Sequence, residues 1–146
     1  MNVQRLCSRH LVTVSIGAST SDAARLMRDA HVGALVVTED GTGHRRVAGI
    51  LTDRDIVRAQ IERTTDLASL SVGQAMTRDP LVFLESESID SAIAGLRARG
   101  VRRAPVVRGD GTPIGLISVD DLLTHLAQSL TGLAGIVAQQ VRTEST

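Results

Sequence analysis

The spacing of apolar positions changes along the chain, and it changes twice in the same order. Val12 to Val14 and Leu81 to Phe83 are short apolar runs that predict strands. Ala23, Leu26, Met27 and Ala30 recur at helical spacing, as do Ile89, Ile93 and Leu96. They predict helices over about 20–30 and 89–99, with Ser19 and Ser88 standing where N-caps belong. Continuous apolar runs at Ala34 to Thr38 and Ala104 to Val107 read as buried strands. Turns carrying Gly41 and Gly111 lead to third strands ending at Leu51 and Ile117, and second helices open at Thr52 and Ser118. Each copy therefore reads β-α-β-β-α.

The two copies superpose by simple shifts. Moved by 69 residues, Val3 falls on Val72, Arg9 on Arg78, and Val32-Gly33-Ala34 on Val101-Arg102-Arg103. After the longer first-copy turn, Gly41 to Arg46, the shift becomes 66, and GILTDRD at 49–55 falls on GLISVDD at 115–121. A copy of about 60 residues buries too little surface to be secure alone. The expectation is an α/β (α+β) body of two repeats, packed with pseudo-twofold symmetry around two equivalent clefts. Residues 1–63 form the first repeat, 64–71 a connector, 72–129 the second repeat and 130–146 a helical extension. In the last helix Leu122, Leu123, Leu126, Leu130, Leu133, Ile136, Val137 and Val141 fall mostly on one face, weakened by Gly132 and Gly135. That much apolar surface predicts a subunit contact.

Composition removes several function classes. Acidic and basic residues balance at 16 each, all the basic residues are Arg, and Phe83 is the single aromatic. Neither a broad cationic face nor a stacking platform for nucleic acid can be built. Cys7 has no Cys or His at metal-ligand spacing, and the four histidines share no short spacing, so no metal site is expected and Cys7 reads as a small apolar residue. The chain lacks a run of about 18 apolar residues, and its start lacks the apolar core of a secretory signal, so a cytoplasmic protein without membrane contact is expected. Neither a Walker loop nor a nucleophile with an activating base is visible, so no catalytic residue and no enzyme activity are expected.

The order strand, helix, strand, strand, then Gly-h-h-Thr/Ser-x-x-Asp (h apolar), written twice, resembles a tandem pair of CBS domains, the regulatory repeats named after cystathionine beta-synthase. The segments VGQAMT at 72–77, VRRAPVV at 101–107, GILTDRD and GLISVDD carry the resemblance, which covers about residues 3 to 130. It implies clefts for adenosine-containing ligands such as AMP, ADP, ATP or S-adenosylmethionine, used as regulatory ligand rather than cofactor. It also implies a flat, disc-like homodimer. By position, Thr52 and Asp55, and Ser118 and Asp121, would face ribose and phosphate. Val12, Ala34, Leu35, Val36, Leu81, Ala104, Pro105 and Val106 would wall the base.

Elementary chemistry reads the motif in two ways. A glycine-ended strand feeding a helix start gathers N–H groups and a positive helix end, which suits an anion. A hydroxyl there can bond phosphate, and a carboxylate one turn on can accept ribose hydroxyls. The same Thr52-x-x-Asp55 and Ser118-x-x-Asp121 also fit capping boxes that serve only the helix. Arg102 and Arg103 have no counterpart at Gly33 and Ala34, so the second cleft is expected to favour a phosphorylated ligand, with Arg54 and Arg78 as weaker phosphate candidates. The leading expectation is a stand-alone sensor acting through an unknown protein partner. The alternative is a dimeric protein-interaction module with no bound nucleotide.

Overall fold

The computed structural model describes residues 1–41, 43–63 and 66–145. Thr42 of the expected long turn, Thr64 and Thr65 of the expected connector, and Thr146 lie outside the described residues.

The first half begins with a short helix, α1 (Val3–Leu6), then β1 (Thr13–Ser15), α2 (Thr20–Ala30), β2 (Ala34–Asp40), β3 (Arg45–Thr52) and α3 (Asp53–Arg63). The second half repeats the series as α4 (Val72–Ala75), β4 (Thr77–Arg78), β5 (Phe83–Leu84), α5 (Ile89–Arg99), β6 (Arg103–Val107), β7 (Pro113–Ser118) and α6 (Val119–Glu144). Both long first helices start where their caps predict. The Ser19 and Ser88 hydroxyls accept the N–H groups of Asp22 and Ser91, each at 3.1 Å. Both end in a left-handed residue at equivalent positions, His31 (φ 56°) and Gly100 (φ 64°). Asp79 is also left-handed (φ 47°), and β5 begins only at Phe83, the last residue of the apolar run expected to form it.

The strands form two sheets, ordered β1-β2-β3-β4 and β5-β6-β7. In each, the first strand runs parallel to the buried one, and the hairpin strand runs antiparallel to it. The short elements α1, α4 and β4 go beyond the β-α-β-β-α reading, and they exchange between the halves. β4 pairs with β3 of the first half, and Ser8 bridges Leu116 of the second through bonds of 2.8 and 3.0 Å. Val3 and Cys7 are buried among Phe83, Leu96, Val106, Ile117 and Leu122. Val72 and Met76 are buried among Met27, Leu35, Val37, Leu51 and Ile56. Each half thus completes its core with the segment that precedes the other half's first strand.

This exchange explains the motif glycines. A Cβ on Gly49 would come within 2.5 Å of the Thr77 carbonyl oxygen, and one on Gly115 within 2.5 Å of the Ser8 carbonyl oxygen. Only glycine lets the crossing backbone pass so close. The Cys7 thiol lies beneath the second crossing, and burial pushes its pKa up.

Candidate functional site

Each cleft is assembled from both halves. In the first, β3 delivers Thr52 to the start of α3. The Thr52 hydroxyl accepts the Asp55 N–H at 3.1 Å, and the Asp55 carboxylate accepts the Thr52 N–H at 2.9 Å. Asp55 is mostly buried, and its second oxygen stands 4.0 Å from Arg58. In the second cleft, Asp121 accepts both the Ser118 N–H and the Ser118 hydroxyl at 2.9 Å through one oxygen, while the Ser118 oxygen accepts the Asp121 N–H at 3.1 Å. The capping reading of both motifs is therefore realised. It also locks each carboxylate at a cleft rim, and the Asp121 box uses only one of the two oxygens.

The loop before each buried strand is tied to the same helix start. The Asp53 N–H donates to the Gly33 carbonyl at 3.0 Å, and the Val119 N–H to the Arg102 carbonyl at 2.8 Å. The side chains on these loops then reach the clefts. The first cleft, about 490 Å³, is lined by Thr52, Asp53, Arg54, Asp55, Thr77, Pro80, Leu81, Arg99, Val101, Arg102 and Arg103, with Gly33 and Ile50. The second, about 310 Å³, is lined by Ser8, His10, Val12, Val32, Gly33, Ala34, Arg103, Leu116, Ser118, Asp120 and Asp121. Both volumes suit a small organic ligand. The first gathers four arginines against two aspartates, the second Arg103 against two aspartates.

The arginines are not confined to the second repeat's cleft. Arg102 and Arg103 belong to the second repeat in sequence, yet both line the cleft built on the first repeat's Thr52 and Asp55. The reason is the packing of the halves, which makes one repeat's loop the wall opposite the other repeat's motif. Arg102 also stands 3.4 Å from Asp120, an exposed pair with little stabilising value. Arg54 lies in the arginine-rich cleft as well. Arg78 instead donates to the Gly73 carbonyl at 3.3 Å.

The expected base walls divide. Leu81 lines the first cleft, and Val12 and Ala34 the second. Leu35, Ala104 and Val106 point into the cores. Val36 and Pro105 pair across their sheets with Ile50 and Leu116, which do line clefts, but both are fully covered. A continuous apolar run does not reveal which of its faces meets a cleft. Sequence reasoning missed Arg99, Thr77, Ser8, His10 and Asp120. The 69-residue shift relates Thr77 to Ser8, so the repeat itself could have flagged that pair. Among the described residues no cluster of three or more His, Cys, Asp or Glu is placed to hold a metal ion, and no helix is long and apolar enough to cross a membrane.

The family profile described as the CBS domain matches residues 3–62 and again 72–128. An uncharacterised 17.7 kDa protein of Acidianus ambivalens is 29% identical over 140 residues, covering 96% of this chain and 82% of its own. The crystal structure of CBSX2 in complex with AMP superposes with a TM-score of 0.73 at 27% identity, covering 87% of this chain and 96% of that one. Inosine-5'-monophosphate dehydrogenase of Mycobacterium leprae is 36% identical over 92 residues, which are 62% of this chain but only 16% of the enzyme.

Proposed function

Because the chain belongs to the CBS-domain family, with two repeats in tandem, we propose that it is a regulatory module. It binds an adenosine-containing ligand in the clefts between its halves and passes the signal to a partner protein. The phosphorylated end of that ligand sits in the Thr52 cleft. The observation that carries this reading is the convergence of Arg54, Arg99, Arg102 and Arg103 on one cleft that also holds the anchored Asp55. Guanidinium forks suit phosphate oxygens, the apolar Leu81 and Val101 offer a surface for a base, and a carboxylate suits ribose hydroxyls. The AMP complex of CBSX2 supports the ligand class. Ligand binding acts by favouring one of two arrangements of the halves, as its differential affinity dictates.

A thermal-shift panel of AMP, ADP, ATP, S-adenosylmethionine and NAD tests the reading. A true ligand at about 100 times its Kd adds about 2.7 kcal/mol, which is several degrees for a chain of this size. No shift with any of them would remove the nucleotide reading and leave the dimeric interaction module, which carries no bound nucleotide.

A further inference from the structure

The C-terminal helix leaves the body of the molecule. Leu122 at its root is buried in the second core, but residues 126–145 are all exposed. At 1.5 Å per residue this stretch is about 30 Å long. A lone helix of that length, with Gly132 and Gly135 inside it, draws little stability from propensity and needs packing.

Its apolar residues follow a heptad. Val119, Leu123, Leu126, Leu130, Leu133 and Val137 alternate in steps of four and three residues, and the next place in the series is Gln140. That is the a/d spacing of a coiled-coil seam. Ile136 and Val141 flank the seam, whereas Gly132 and Gly135 fall on the outer positions, where a helix partner does not need side chains. The exposed members of this stripe are 48 to 67% exposed. From Leu122 to Val141 there is no Asp, Glu, Lys or Arg. Such a face offers nothing to a charged partner helix and lacks the basic flank that holds an interfacial helix on a membrane. It is complementary to itself.

We infer that α6 is a self-association element, in which the seam Leu123–Val137 packs against α6 of a second copy of this chain. Seven exposed apolar side chains, each hiding on the order of 100 Å², bring on the order of 700 Å² per copy to the contact. A standard stable interface uses about 800 Å² per partner. The largely apolar groove of about 410 Å³ at the root of α6, formed with Ile93 and Leu96 of α5 and Val101 just after it and edged by Arg97 and Arg102, extends the same surface. The inference does not depend on the ligand reading.

The test is the mass of the full chain in solution by sedimentation or light scattering, with hydrogen exchange along α6. The double variant Leu126→Glu/Leu133→Glu is expected to halve the particle mass and strip protection from α6. Gln128→Glu, on the outer face, should change neither. Both sites are exposed, so the fold and any nucleotide-induced thermal shift should survive in the double variant, which separates this outcome from failure of the clefts. A wild-type chain that is monomeric at about 100 µM, well above the dissociation constant of a typical interface, would overturn the inference. So would an unchanged mass in the double variant, or an α6 protected only by added lipid vesicles.

Discussion

The two clefts are built from the same plan and differ in what lines them. Where backbones approach each other, the halves agree: Gly49 matches Gly115, the Thr52 box matches the Ser118 box, and Val3 and Cys7 match Val72 and Met76. Where side chains face the clefts, they diverge. Arg99, Arg102 and Arg103 stand opposite Ala30, Gly33 and Ala34 under the 69-residue shift, and Arg54 stands opposite Asp120 under the 66-residue shift. The fold tolerates little change at the crossings because a methyl group there meets a carbonyl oxygen. At the cleft rims, side chains reach solvent and charge can be exchanged at small cost. Duplication thus supplies two frames, and substitution at the rims gives them different electrostatics.

The largest effect is expected where the halves are most alike. Gly49→Ala and Gly115→Ala should each cost about 2–3 kcal/mol through overpacking, read as a lower urea midpoint at unchanged slope. Gly132→Ala, which meets nothing within 4 Å, should stabilise the chain by up to about 1 kcal/mol. A crossing variant as benign as Gly132→Ala would show that the crossings tolerate a side chain after all. Next come the arginines that distinguish the clefts. Arg102→Ala and Arg103→Ala should each weaken ATP binding about fivefold, or about 1 kcal/mol after allowing for their exposure, and the loss should shrink at high salt. His31→Gly should add about 0.5 kcal/mol by relieving a left-handed conformation that the second half already gives to Gly100. Smallest is the Cys7 effect. Its thiol pKa is raised in the folded state, so the folded chain binds more protons than the unfolded one at alkaline pH. That stability is complete below the ordinary thiol value of about 8.5 and is lost as pH rises through the folded value. Cys7→Ala should remove this alkaline dependence.

Much of this frame was legible in the sequence, because periodicity and capping are local. The helices at 20–30 and 89–99, the buried strands and both boxes follow from residues close together in the chain. The exchange of α1 and α4 was not legible. Val3 and Val72 look like ordinary apolar residues until the opposite half shows which core lacks them. For the same reason the reach of Arg102 and Arg103 into the first cleft was not legible: Thr52 and Asp55, which line it with them, lie about 50 residues away and across the pseudo-twofold. The base walls failed differently. Leu35 and Ala104 sit in runs that are apolar on both faces, so alternation could not separate core from cleft.

If the proposed function holds, the clefts are unequal and the Thr52 cleft takes the phosphorylated ligand. Calorimetric titration of ATP into the wild-type chain, Asp55→Asn and Asp121→Asn tests it most directly, since asparagine keeps an oxygen for the cap while removing the charge. Asp55→Asn is expected to change the Kd about tenfold, roughly 1.4 kcal/mol, and Asp121→Asn to leave it within twofold. Equal effects of the two substitutions, or an effect confined to Asp121→Asn, would contradict it.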